Sequence, residues 1–389
     1  SKPNVIVFFM ESLSASLVGS YNSRMNTPNI DRFARDGCVV DGYYNHTFPT
    51  ISGIRGQLCS FYPVLGENEH AEKEGIALKL YCLPHVLNRH NYSTSFFFYS
   101  PAMYTPFSNT LNMKKLIEAC GFDKVYIAED IQKQLTGADS LEGYDFKNSV
   151  NDLGMMVSLV KYLQSYRNHD KPFFVALSTM GTHPSIDDND AKIGESLQKL
   201  DDAFGVFWEY FRKSPYYNNT IVVVTADHAI PPTVQYKKFI GSANQDIAFY
   251  DEIALIIFDK RYKFPRRFRV QANSIDLVPT ILQLLEINNE TNPFQGLSVF
   301  ADRKKHPSLA CTLMDSYYVH DADGIHKYEY TDDKALYEKY FRMKDDVSVD
   351  RNKQESGMKI WFAYNKYLNH QNKIWNGIFE KQSNNKTAK

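Results

Sequence analysis

A chain of 389 residues holds enough material for one large α/β domain with a smaller appendage, or for two ordinary domains. Lys and Arg total 44 against 45 Asp and Glu, a formal net charge of −1 with no basic stripe long enough to track a polyanion, so nucleic acid is excluded as a partner. The 26 Tyr and 26 Phe exclude a disordered chain, and apolar stretches no longer than a strand exclude a bilayer span within this sequence.

The sequence opens Ser-Lys-Pro-Asn, with neither Met nor a signal peptide, and enters a strand almost at once. We expect a processed or excised domain, associated with a membrane through a segment absent from this chain. Residues 4–10 are a continuous apolar run that ends at Glu11, which predicts a central strand. A short helix follows over 27–36, with Thr27 as N-cap, Pro28 at the first helical position and Gly37 as the stop. Residues 39–44 read as strand, and a helix begins at or just after Thr50.

The alternation continues with a helix over 83–89, a strand over 93–99, a helix over 109–119, a long helix within 147–167 and a strand over 173–179. Between 193 and 213, Leu197, Leu200, Phe204, Phe207, Trp208 and Phe211 recur at intervals of three and four, which predicts an amphipathic helix. It delivers the chain to Thr-Ile-Val-Val-Val-Thr-Ala-Asp-His at 220–228. A further buried strand is expected over 254–258 and a helix over 274–285 with Ser274 as N-cap. This pattern predicts an α/β fold: a mainly parallel central sheet with helices on both faces.

Beyond residue 305 the texture changes to Tyr-rich alternating segments with turn signals such as Asp321-Ala-Asp-Gly324. We expect a small C-terminal antiparallel sheet subdomain with a terminal helix. The expected division is 1–304 for the main domain, 305–380 for the subdomain packed on it, and 381–389 for a frayed tail.

In a parallel sheet, strand ends face one edge, so Glu11 can meet Asp227 and His228 although they are far apart in sequence. Carboxylates and an imidazole together suit a hard or borderline divalent ion; the alternative for Asp227-His228 is a polar turn that caps the next segment. Thr50 supplies a hydroxyl at a helix start, where the positive end of the dipole and a metal would favour its alkoxide. It could equally be an N-cap and nothing more. Arg55, five residues on, could reach back toward a phosphate or face solvent. His46, His85, His90, His306, His320 and His326 carry no positional argument and read as structural or surface residues.

The ordered set Pro3-Asn-Val-Ile-Val with Glu11-Ser-Leu, Thr27-Pro-Asn-Ile-Asp-Arg-Phe-Ala, Thr50-Ile-Ser-Gly-Ile-Arg-Gly, Thr182-His183-Pro184, Thr225-Ala-Asp-His228 and Ser274-Ile-Asp-Leu-Val-Pro-Thr resembles the sulfatase-like part of the alkaline phosphatase superfamily. The resemblance spans roughly residues 3–300 in the family's order. It is nearest to the extracytoplasmic catalytic domains of lipoteichoic acid synthases and of membrane phosphoglycerol and phosphoethanolamine transferases.

That resemblance implies a site for one divalent metal ion, Mn²⁺ before Zn²⁺ or Mg²⁺, on Glu11, Thr50, Asp227 and His228. It implies Thr50 as the nucleophile that takes a phosphoglycerol or phosphoethanolamine headgroup from a phospholipid donor and passes it to a glycan or lipid-glycan acceptor. It makes His183 a substrate-phosphate or leaving-group contact, with general acid to the departing oxygen as one such role; the alternative is a turn histidine before a proline. Arg55 and Tyr99 are further candidate substrate contacts. The resemblance places the chain on the periplasmic or cell-surface side of a bacterial cytoplasmic membrane. There a disulfide between Cys59 and Cys82 fits an oxidising compartment; otherwise all five cysteines are reduced and packed.

A true sulfatase needs Cys or Ser in a Cys/Ser-x-Pro-x-Arg context, and this chain has Thr50 with that spacing broken, which disfavours sulfate ester hydrolysis. Lipoteichoic acid synthases carry His-Gly-Asn and then Phe-Trp-Asn-Arg for headgroup contacts, where this chain has Tyr99-Ser-Pro-Ala-Met-Tyr-Thr-Pro-Phe107-Ser-Asn109. The identity of the transferred group is therefore left open. The rivals are a phosphodiesterase or sulfatase-like hydrolase using water at the same site, and a silent binding domain that keeps the fold alone.

Overall fold

Every residue from Val5 to Met10 is apolar, and in the structure all six are buried, because strand β1 (Asn4–Met10) lies in the interior of an eight-stranded sheet. The structure is a computed structural model that describes residues 2–62, 80–98, 110–135, 151–166, 171–184, 189–231, 233–241, 250–288, 292–302, 309–313, 316–321, 324–330 and 343–344. The other strands of this sheet are β2 (Cys38–Tyr44), β3 (Ser93–Phe98), β4 (Lys124–Tyr126), β5 (Phe173–Ser178), β6 (Thr220–Ala226), β7 (Leu255–Asp259) and β8 (Arg267–Asn273). Their order across the sheet is β4-β3-β5-β1-β6-β7-β2-β8.

Strand β1 pairs in parallel with β5 and β6, β3 with β4 and β5, and β2 with β8. Strand β7 alone runs against its neighbours, β6 on one side and β2 on the other. The expected mainly parallel sheet is present, with one reversed strand inserted. Strands β5 and β6 are buried at every position, as their unbroken apolar character requires when both faces are covered.

The flanking helices are α1 (Pro28–Asp36), α2 (Thr50–Cys59), α3 (Leu83–Arg89), α4 (Thr110–Glu118), α5 (Ala128–Leu135), α6 (Asp152–Ser165), α7 (Asp190–Phe211), α8 (Val234–Phe239) and α9 (Leu277–Leu284). In α7 the six apolar residues read from the periodicity are all buried. Phe204 and Phe207 meet Phe8 of β1 at ring separations of 5.3 and 4.8 Å, and Trp208 meets Phe33 of α1 edge-on at 4.9 Å. Each such side chain contributes about 1.5–3 kcal/mol by leaving water, and together they weld α1 and α7 to one face.

Thr27 stands at the N-cap position of α1 with Pro28 after it, as expected, but its side chain does no capping, and the cap after β8 falls on a residue other than Ser274. The Thr27 hydroxyl accepts from the Gly19 amide, and the first amides of α1 are bound instead by Asp201 of α7, at 3.0 Å from Asn29 and 2.9 Å from Ile30. The segment after β8 opens with a 3-10 turn, Ser274–Asp276, capped reciprocally by Asn273 and Asp276. Ser274 is spoken for elsewhere: its hydroxyl receives the His46 amide at 3.1 Å and meets the His46 ring at 2.5 Å. At α1 a remote carboxylate replaces the local cap; after β8 the cap is local but one residue earlier, and Ser274 serves His46 instead.

A second sheet of four antiparallel strands comprises β9 (Leu309–Leu313), β10 (Ser316–Asp321), β11 (Gly324–Tyr330) and β12 (Met343–Lys344). It joins the main sheet through an aromatic ladder in which Tyr250 stacks between Tyr44 and Tyr318, with its hydroxyl 3.0 Å from His320 Nδ1. The boundary at 304, the terminal helix and the 381–389 tail lie outside the described residues.

Cys59, the last residue of α2, is bonded to Cys82, which precedes α3. Cys38 and Cys120 are buried thiols. No helix among the described residues is long and apolar enough to cross a membrane.

Candidate active site

Register decides which side chains meet. Met10 of β1 stands opposite Ala226 of β6, so the residues that come next, Glu11 and Asp227, emerge side by side at the carboxyl edge of the sheet. On the other flank of β1, the Thr179 amide bonds to the Phe9 carbonyl at 3.1 Å, and its hydroxyl receives the Glu11 amide at 3.0 Å. Three strand ends are thereby locked together.

The side chains at this edge converge. Glu11, Asp227 and His228 are buried, and each offers a ligand atom within 4.8 Å of the others. His228 Nε2 is 3.6 Å from Glu11 Oε1, 3.3 Å from Asp227 Oδ2 and 3.4 Å from Thr50 Oγ1. The Thr50 hydroxyl donates to Glu11 Oε2 at 3.1 Å, and the Ser12 hydroxyl donates to Glu11 Oε1 at 2.7 Å.

Each group is also oriented from behind. Asp227 Oδ1 accepts the amides of Ser12 and His228, both at 2.8 Å, which turns Oδ2 into the cluster, where it is buried without a hydrogen-bond partner among the described residues. His228 Nδ1 lies 2.7 Å from the Ala229 carbonyl, which can only accept, so Nδ1 carries the proton and Nε2 presents its lone pair to the oxygens. Phe48 packs on the ring at 4.7 Å.

Burial, and after it the neighbouring Asp227 charge, holds the Glu11 carboxyl well above its usual range. Two buried carboxylates with an orphaned oxygen and an imidazole lone pair between them are electrostatically incomplete, and a divalent cation is the group that would satisfy all of them. An oxygen-rich set with one nitrogen fits a hard or borderline ion.

Thr50 arrives from a third direction. It is the first residue of α2, after Pro49 and a cis Phe48–Pro49 bond, and its hydroxyl sits at the positive end of the helix. It is not the N-cap, a place that Pro49 holds. Two features of α2 set its distance from β6. Gln57 donates to the carbonyls of Ala226 and Asp227 at 2.8 and 3.1 Å, and Gly53 lies so close to the Asp227 carbonyl that a Cβ there would overlap it. Neither contact is evident from residue type or spacing. A glycine one turn into a helix that starts with a hydroxyl is the only sequence signal for this close approach.

The remaining candidates fall differently. His183 is exposed in the turn after β5, beside Thr182, whose hydroxyl donates to the Glu11 carbonyl at 2.5 Å. Asp152 of α6 holds the same turn through the amides of Met180 and Gly181, another contact that sequence pattern does not reveal. Arg55 lies about 140° round the helix from Thr50; it is buried near Cys120, whose thiol feels its charge. The structure therefore does not bring Arg55 to the Thr50 side of α2. Tyr99 lies outside the described residues.

A sulfatase family model matches residues 3–287, more than half of the chain. Among solved structures, a protein of the alkaline phosphatase superfamily from Vibrio parahaemolyticus is similar with a TM-score of 0.70 and 20% identity, over 95% of this chain and 88% of that one. The lipoteichoic acid synthase of Listeria monocytogenes is similar with a TM-score of 0.68 and 17% identity, over 97% and 93%. The phosphonate monoester hydrolase of Agrobacterium radiobacter is similar with a TM-score of 0.56 and 13% identity, over 84% and 89%. At these identities the structural likeness speaks for the fold.

Proposed function

The chain belongs to the sulfatase family, and from that premise we propose that it is a phosphotransferase of the alkaline phosphatase superfamily. In this reading it moves a phosphoglycerol or phosphoethanolamine headgroup from a phospholipid to a glycan or lipid-glycan acceptor through a phosphothreonine intermediate. The observation that supports it is the Thr50 hydroxyl at a helix N-terminus, 3.1 Å from Glu11 and 3.4 Å from His228.

Glu11, Asp227, His228 and Thr50 would hold the divalent ion, Mn²⁺ before Zn²⁺ or Mg²⁺, which when bound lowers the pKa of a hydroxyl and neutralises charge developing at phosphorus. Glu11 already accepts the hydrogen of Thr50, so the proton has a destination as Thr50 Oγ1 forms its bond to phosphorus. The bond from phosphorus to the diacylglycerol oxygen breaks, and His183 returns a proton to that oxygen. An acceptor hydroxyl then attacks the same phosphorus and gives its proton to His183, while the bond from phosphorus to Thr50 Oγ1 breaks and Thr50 recovers its proton from Glu11.

Thr50 also separates this reading from sulfate ester hydrolysis by formylglycine. Oxidation of a threonine side chain gives a ketone, so the aldehyde hydrate that such enzymes use is out of reach. The Cys59–Cys82 bridge supports an extracytoplasmic location, on the periplasmic or cell-surface side of a bacterial cytoplasmic membrane, with attachment through a segment outside this chain.

The test uses phosphatidylglycerol and phosphatidylethanolamine labelled in the headgroup, with and without a glycan acceptor. Acceptor-dependent product and a labelled Thr50 peptide are expected, with turnover by Thr50→Ala reduced about 10⁴-fold or more. Headgroup phosphate released equally fast without acceptor would make the chain a phosphodiesterase. Full turnover by Thr50→Ala would remove the covalent route.

A further inference from the structure

The turn that carries His183 is gripped from two sides. On one, Thr182 Oγ1 donates to the Glu11 carbonyl, tying the turn to the end of β1. On the other, Asp152 takes the Met180 amide on Oδ1 at 2.9 Å and the Gly181 amide on Oδ2 at 3.0 Å, with a second approach to Oδ1 at 3.2 Å. Within the turn the His183 amide bonds to the Met180 carbonyl at 3.0 Å. Gly181 is what lets the carboxylate close on both amides, because a Cβ there would overlap Asp152 Oδ2.

Asp152 has no local work to explain its burial. It is the first residue of α6, but that helix is capped by its neighbour Asn151, whose side chain accepts from Gly154 at 3.0 Å. Among the described residues, every hydrogen bond of the Asp152 carboxylate goes to the 180–181 amides. It is 6% exposed, and burial raises its carboxyl above the usual range while the two amides pull it back. A buried carboxylate is an expensive way to hold a turn unless the turn must stay fixed while charge is redistributed beside it.

We infer that Asp152 is a positioning residue for phosphoryl transfer, clamping the 180–183 turn so that His183 can meet the oxygen that leaves phosphorus. This rests on the reading of His183 as the group that protonates that oxygen. The clamp matters in proportion to how much the leaving oxygen needs a proton. A p-nitrophenolate departs without help, whereas the alkoxide of diacylglycerol does not.

The experiment compares the whole chain, loaded with Mn²⁺, as wild type, Asp152→Asn, Gly181→Ala, His183→Gln and the Asp152→Asn/His183→Gln double variant. Two donors are used: phosphatidylglycerol and the p-nitrophenyl diester of glycerol phosphate. Asp152→Asn and Gly181→Ala should each lower kcat on phosphatidylglycerol about 10²-fold, the scale of a small misplacement, with KM little changed. On the p-nitrophenyl diester both should stay within a few-fold of wild type. The double variant should be no slower than His183→Gln alone, since a clamp without its histidine has nothing to position.

Equal losses on the two donors, or additive losses in the double variant, would overturn the role of Asp152 while leaving phosphotransfer intact. Should Asp152→Asn fail to fold by its thermal transition, Gly181→Ala decides, and wild-type kcat on phosphatidylglycerol in that variant would likewise overturn the clamp. A wild-type chain that turns over neither donor would overturn the phosphotransfer reading and the role of Asp152 with it.

Discussion

Helix α2 touches two buried imidazoles. Beside its first residue, His228 faces Glu11, Asp227 and Thr50, its Nε2 within 3.6 Å of an oxygen from each. Beside Gly56, His46 is wholly buried, with Nδ1 on the Ser274 hydroxyl and Nε2 against that glycine, where it has no hydrogen-bond partner among the described residues. Burial alone pushes the His46 pKa down to about 3, so this ring is neutral at any ordinary pH. The two rings are alike in burial and in having Nδ1 occupied by a neighbour. What separates a candidate ligand from a core residue is the convergence of anionic oxygens on the free nitrogen.

The largest expected difference between the two rings is in metal dependence. Stripping the protein with a chelator should abolish turnover and lower its stability by about 2.7 kcal/mol relative to protein held at a hundred times the dissociation constant of the ion. Thermal unfolding with and without Mn²⁺ measures this directly. His46→Gln should retain the full metal content by elemental analysis, and a loss of bound metal in that variant would break the distinction between the rings.

The same substitution at two glycines of α2 sharpens it. Gly53→Ala presses a methyl into the Asp227 carbonyl and should displace Thr50 from the cluster, lowering kcat about 10²-fold. Gly56→Ala presses on the His46 ring instead, and should lower stability by about 1–3 kcal/mol while the folded fraction keeps its activity. Urea unfolding and kcat on the same preparations separate the two outcomes, and an exchange of effects would refute the assignment of contacts.

The smallest effect is a pH dependence. A histidine whose folded pKa lies near 3 against about 6.5 when unfolded binds its proton more readily in the unfolded chain. Its contribution to stability is therefore complete above about pH 6.5 and is lost as the pH falls from there toward 3, by at most about 1.4 kcal/mol per pH unit. Unfolding midpoints of wild type and His46→Gln should converge as acid is added. Parallel curves would mean that His46 is not the group responsible.

Strand ends were the legible part of this chain. The apolar runs of β1, β5 and β6 are buried on both faces, so hydrophobicity marks them directly, and Glu11 and Asp227 at the ends of β1 and β6 follow by position. Strand β8 gives no apolar run, because Arg267 and Arg269 alternate along it at the edge of the sheet, and the three residues of β4 are too few to carry a period. The reversal of β7 was equally hidden, since an apolar strand reads the same in either direction.

Within the site, residue types on strand ends could be read, but facing could not. Arg55 shares a short segment with Thr50, and which of the two looks at β6 is set by the docking of α2 through Gly53 and Gln57. Asp152 and Asp201 likewise act on amides far away in sequence, where local pattern predicts caps by neighbours. Such contacts are fixed by the assembled sheet and leave no trace in spacing.

One property of β1 has a bearing on how the protein is made. Its bonds reach partners 169 and 216 residues further along the chain. At roughly 5–20 residues per second of synthesis, this strand waits on the order of 10–40 s for the second of them. Until β6 arrives, Glu11 has neither Asp227 nor His228 beside it, so the three-residue cluster is incomplete. Assembly of the Glu11, Asp227 and His228 cluster and the pairing of β1 with β6 become one event, placed late in biogenesis.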